Sequence, residues 1–372
     1  PCMPPWRFDA PGAAPEDAAP PVSAAPAKPR PARILATAAL ATAGGGLFWL
    51  LGVPLAWMLG AMFATGLLAW NERAEVLPAT RPAALILLGL GLGQTFTPAV
   101  MAAVGLALPW LVAAALLSLL VGALSARLFA RMAGTDAETA YYASVPGGVV
   151  LMAVLAQRAG VSVPAVTLAQ TIRVMIVVVM VPPLVTWFAP RGGAGAFLAE
   201  RPEVHLLGLA LMVAAGVATA FAVKRTGLAN PWMLGPCAMV IALSAFGLLP
   251  SGVPVWMVDA AQVGMGMALG VRMSRRFILA SRRLAIASAV TTVVLVVAMA
   301  ALAAPFAWAS GLPFAAAVLG VAPGGMPEMT ITAKALELGV PLVLGFHLVR
   351  TLLCNIVVTP FWRLLVRLRL AG

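Results

Sequence analysis

Twelve apolar runs follow one another from residue 34 to residue 366, broken only by short connectors: 34–51, 53–70, 82–98, 103–130, 137–158, 162–188, 204–223, 230–249, 254–271, 284–309, 313–337 and 341–366. Most of them reach the roughly 20 residues that a helix needs to cross a bilayer. Only 10% of the 372 residues are charged, against about 25% in an ordinary soluble domain. No stretch is left for a separate polar domain, so the chain is predicted to be an all-α polytopic membrane protein whose main partner is the lipid bilayer.

The runs are duplicated. Trp57-Met58-Leu59-Gly60 recurs 175 residues later as Trp232-Met233-Leu234-Gly235. Further on the spacing is 177, which pairs Pro146-Gly147-Gly148 with Pro323-Gly324-Gly325, Pro164 with Pro341, Arg173 with Arg350 and Pro183 with Pro360. Chance similarity between Leu/Ala-rich segments does not align Pro, Gly and Arg at one constant spacing. The predicted organisation is a Pro/Ala-rich tail over 1–33, a first membrane repeat over 34–190, a linker over 191–203 and a second repeat over 204–372. The tail has too little apolar surface to fold by itself.

The net charge of +12 does not mark a nucleic-acid-binding protein, because the basic residues lie in the connectors and tails, where the positive-inside rule places them. Cys2, Cys237, Cys354, His205 and His347 are too few and too scattered for a metal centre. No cofactor, metal or enzymatic activity is expected, and Cys237 and Cys354 read as small core residues. GLGLG over 89–93 and GMGMALG over 264–270 lack the strand-turn-helix setting of a dinucleotide loop and read as surfaces for close helix packing.

The blocks PGGVVLMAVLAQRAG with QTIRV and PGGMPEMTITAKALELG with HLVRT, together with the doubled WMLG, resemble the AbrB-type membrane proteins that carry the AbrB duplication. The resemblance covers about residues 34–368. It implies an integral membrane protein, and members carry the labels regulator of gene expression and ammonia monooxygenase. The family shares its name with a soluble DNA-binding transition-state regulator that this chain does not resemble. Family repeats often read PGGxxEM; Glu328 fits that pattern, whereas Leu151 stands in its place in the first half. Two histidines cannot furnish an imidazole-rich oxygenase site.

Equivalent connectors of the two halves carry opposite charge bias. In the first half Arg73 and Arg81 follow the second run and Arg127 and Arg131 the fourth. In the second half Lys224 and Arg225 follow the first run, and Arg272, Arg275, Arg276, Arg282 and Arg283 follow the third. Two inverted repeats account for this, each with about five spanning helices and one PGG segment that is broken or re-entrant. Both termini are then cytoplasmic, at the inner (plasma) membrane.

Proline removes a backbone donor and glycine relaxes the chain. At membrane depth the freed groups are tolerated only where protein or a water-filled cavity receives them. Candidate site residues are therefore Pro146, Gly147, Gly148, Pro323, Gly324 and Gly325, with Gln170 and Arg173 on one helix face and His347 and Arg350 on its counterpart. Glu328 is the expected ion-pair partner of Arg350, or else a proton carrier. The function these features favour is secondary transport of a small solute, an anion being suited by positive charge near donor-rich backbone. The alternative is the family label, a membrane protein involved in regulation of gene expression.

Overall fold

The computed structural model describes residues 30–188, 202–228 and 230–368. Its elements are α1 (Pro31–Leu50), α2 (Ala56–Trp70), α3 (Thr80–Gly93), α4 (Pro98–Ala133), α5 (Ala137–Ser144), α6 (Val149–Ala159), α7 (Val163–Phe188), α8 (Leu206–Arg225), α9 (Pro231–Ala245), α10 (Val255–Gly270), α11 (Arg275–Leu279), α12 (Arg282–Ser310), α13 (Phe314–Val321), α14 (Met326–Ala335) and α15 (Val340–Arg367). Among the described residues there is no strand. Helices α1, α4, α7, α8, α12 and α15 are long and apolar enough to cross a membrane. Helices α2, α3, α9 and α10 have 14 to 16 residues, about 21–24 Å at 1.5 Å per residue, which is shorter than the roughly 30 Å hydrocarbon core. Of the predicted tail, Pro31, Ala32 and Arg33 already belong to α1; residues 1–29 and 189–201 lie outside the described residues.

The duplication extends to the backbone. Helices α1 and α8 begin and end 175 residues apart, as do α2 and α9, while α5 and α13 match at 177. Left-handed residues recur at the same spacings: Gly52 with Gly227, Leu55 with Asn230, Glu72 with Gly247, Gly134 with Gly311 and Gly160 with Glu337. A side chain in that conformation costs on the order of 1 kcal/mol, so its recurrence at Leu55 and Asn230 marks a turn geometry that both halves retain.

Both glycine motifs pack helices closely. A Cβ on Gly266 of α10 would lie 2.4 Å from the Met58 carbonyl oxygen of α2, and one on Gly89 of α3 would lie 2.8 Å from the Met233 carbonyl oxygen of α9. Each half thus lays its third helix on the second helix of the other half. Equivalent helices run in opposite directions where they touch. Gly264 meets Ala84, whereas Gly91 meets Val258, so α3 and α10 are antiparallel. The Arg283 side chain at the start of α12 donates from Nε to the Met132 carbonyl at the end of α4 at 2.9 Å, and Trp110 packs edge-on against Phe306 further along, so α4 and α12 are antiparallel too.

Each PGG splits a predicted run into two short helices. Asp136 caps α5 by accepting from the Thr139 N–H at 2.7 Å, and Pro146 then stops the helix. Glu138 near the start of α5 and Arg158 near the end of α6 line one cavity of about 590 Å³ beside Trp362 and Arg363 of α15. The α5–α6 pair is therefore a hairpin with the PGG at its tip and both outer ends together. By the register of the repeat, α13 and α14 form its counterpart.

Candidate functional site

The two breaks are held by one device used twice. In a continuous helix the carbonyl of Tyr142 would accept from residue 146, and that of Leu319 from residue 323; both are prolines without an N–H. Gln170 Nε2 supplies the first donor, 2.8 Å from the Tyr142 oxygen, and reaches the Ala143 and Val145 oxygens at 3.1 and 2.9 Å. His347 Nε2 supplies the second, 3.0 Å from the Leu319 oxygen. One turn on, Arg173 Nη1 donates to Val145 O at 3.0 Å and Arg350 Nη1 to the equivalent Ala322 O at 2.6 Å. Arg350 Nη2 also donates to Gly324 O at 2.7 Å and to His347 Nδ1 at 2.9 Å. The imidazole is thereby fixed as the tautomer with its proton on Nε2. Both arginines are buried and cap the carbonyl ends of α5 and α13, where the helix dipole favours a cation.

The expected Glu328–Arg350 ion pair does not form. Neither Glu328 nor Arg350 makes an ion pair among the described residues. The reason is the polarity of the break. Arg350 is consumed by the carbonyl end of α13, whereas Glu328 lies in the first turn of α14, where the exposed N–H groups favour an anion. Its carboxyl group is buried, with Oε2 lacking a hydrogen-bond partner, and lies against Gly325, where a Cβ would collide with it. Gly325 is thus the residue that makes room for this carboxylate.

The two hairpin tips meet in a cavity of about 380 Å³, within the range of small-ligand pockets. Of the predicted site residues, Pro146, Gly147, Gly148, Gly324, Gly325, Glu328 and Arg350 line it. Gln170, Pro323 and His347 are not in its wall, and Arg173 faces instead a space of about 10 Å³ beside Ser144, Ser288 and Thr291. The sequence reading did not include Arg81, Lys224 and Arg272, which bring three further positive charges to the same cavity, nor Thr171, Asn230 and Trp232. Lys224 is held 5.3 Å over the Trp232 ring. Arg81 and Arg272 are half-buried and line the same cavity. Neither makes an ion pair or hydrogen bond within the described residues, and the carboxylate whose charge reaches Arg81 is Glu328.

Long apolar helices, a duplicated core and paired helix breaks around one cavity define a polytopic helical membrane protein. The chain matches the family model described as "Transition state regulatory protein AbrB" over residues 57–366, and it belongs to that family. It is 27% identical over 358 residues to the Bacillus subtilis (strain 168) protein named "Uncharacterized protein YhjN", covering 88% of this chain and 91% of that one. It is 24% identical over 318 residues to the Escherichia coli (strain K12) protein named "Putative regulator AbrB", covering 80% of this chain and 86% of that one.

Proposed function

We propose that the protein is a secondary transporter of a small anionic solute, built from two inverted repeats in the inner (plasma) membrane and without enzymatic activity. The observation that carries this reading is the convergence of two broken hairpin tips on one cavity lined by Arg81, Lys224, Arg272 and Arg350 against the single carboxylate of Glu328. Broken helices at an interface between repeats are how secondary transporters build a solute site. The antiparallel contacts of α3 with α10 and of α4 with α12 support inversion, because a two-fold axis that reverses spanning helices lies in the plane of the membrane.

Basic residues support the orientation. Arg131 lies beside Met132 in the last turn of α4, Arg283 at the start of α12 bonds to Met132, and Arg272, Arg275 and Arg276 lead into that same end of α12. That end, with both termini, is cytoplasmic in this reading. The name of the Escherichia coli relative favours a second reading, a membrane protein that influences gene expression; a transported solute would reconcile the two.

The test is counterflow in proteoliposomes. Metabolite profiles of a deletion strain and an overexpressing strain choose a panel of labelled organic and inorganic anions. The expected result is protein-dependent accumulation of at least one of them against an excess of the same unlabelled anion inside. Folded, correctly inserted protein that exchanges none of the panel would overturn the transport reading.

A further inference from the structure

The cavity offers an anion two separate sets of donors. At the hairpin tip, Gly148 precedes α6 without a side chain to cap it, and the first bond of that helix runs from Met152 N to Gly148 O. The N–H groups of Val149, Val150 and Leu151 are therefore left over, and all three residues line the cavity. Thr171 is 1% exposed, its Oγ1 has no hydrogen-bond partner, and it lines the same cavity. Elsewhere on the wall Arg81 and Arg272 present two guanidinium groups, and Glu328 is the one acid that lines the cavity with them. Such a pair gains most from a carboxylate that takes a bidentate contact from each side. Val174, Trp232 and Leu269 give the same cavity apolar lining.

The second hairpin shows what suits these tips. There the first turn of the equivalent helix is occupied by the chain's own carboxylate, Glu328, while the first half has Leu151 at that register. We propose that the cavity binds a small dicarboxylate, one carboxylate resting on the first turn of α6 and Thr171 Oγ1, the other between Arg81 and Arg272. The apolar wall accommodates the carbon chain, which an inorganic dianion lacks. This assignment rests on the transport reading for its biological sense, but the binding itself does not require transport.

The experiment uses the full chain purified in detergent, with Cys2→Ser removing the one cysteine outside the described residues and Val150→Cys as the probe. Val150 lines the cavity and is 50% exposed, whereas Cys237 and Cys354 are buried. Modification of the new thiol by a charged maleimide is timed with succinate, with butyrate and with sulfate. Succinate is expected to slow the reaction at concentrations about tenfold below those at which butyrate does, one lost ionic contact being worth about that factor. Arg272→Gln should abolish the difference between succinate and butyrate, and Arg272→Lys should restore part of it, which separates lost charge from lost folding. Equal protection by butyrate, protection by sulfate as strong as that by succinate, or no protection at all would overturn the proposal. Protection by succinate without counterflow of any anion would defeat transport while leaving the site intact; counterflow of an anion other than a dicarboxylate, without protection by succinate, would do the reverse.

Discussion

Gln170 and His347 occupy equivalent places in the two halves and do the same work with different chemistry: each hands a side-chain N–H to the carbonyl that a proline four residues further on has left without a donor. The two residues are therefore exchangeable in one direction. His347→Gln is expected to keep the donor to Leu319 and leave thermal stability nearly unchanged. His347→Ala orphans that buried carbonyl and one donor of Arg350, a cost of about 1–3 kcal/mol. Thermal unfolding of the purified variants in one detergent compares them, and equal losses for Gln and Ala would disprove the donor role.

The glycine contacts between halves give a second expectation. Gly266→Ala pushes a methyl group to 2.4 Å from the Met58 carbonyl oxygen, which is backbone and cannot step aside. Overpacking of this kind costs about 1–3 kcal/mol. Gly105→Ala in α4 meets nothing within 4 Å and should be neutral or stabilising by up to about 1 kcal/mol through helix propensity. Unfolding midpoints that move in the same direction for both would contradict the packing account.

Chain direction supplies the third. Arg131 lies in the last turn of α4, which receives Arg283, and Arg276 lies in α11, the short helix that leads into α12. Single cysteines placed beside Arg131 and beside Arg276 are both expected to resist an impermeant thiol reagent in intact cells and to react once the cells are opened. Labelling of either from outside would break the inverted arrangement.

The breaks and their clamps were legible because they are local and duplicated: Pro-Gly-Gly, and a polar residue three positions before an arginine, recur at one spacing. The cationic lining was not. Arg81, Lys224 and Arg272 sit at the ends of three helices far apart in sequence, and each by itself reads as an ordinary topogenic charge; only the crossing of α3 with α9 and of α10 with α2 brings them to one cavity. The Glu328–Arg350 pairing failed for a reason the sequence contains but pairwise charge reasoning overlooks. A broken helix presents a carbonyl end and an amide end, and these take the cation and the anion separately.

That separation fixes what removing Glu328 should do. If the carboxylate neutralised Arg350, Glu328→Gln would leave a buried charge unpaired, at around 3–5 kcal/mol, and Arg350→Gln added to it would recover stability. With Arg350 bonded instead to Ala322, Gly324 and His347, Glu328→Gln should unfold within about 1 kcal/mol of the parent protein, since a loss of capping charge at a helix start is of that order. Adding Arg350→Gln should then lower stability further rather than rescue it. Removing the one negative charge from a wall that holds Arg81, Lys224 and Arg272 should also tighten anion binding, seen as protection of Val150→Cys at lower succinate concentration. If Glu328 in addition carries the coupling proton, uptake driven by a pH gradient is lost in Glu328→Gln while exchange of solute for solute persists, because exchange moves no net proton. Recovery of stability in the double variant would reinstate the ion pair and refute the polarity argument.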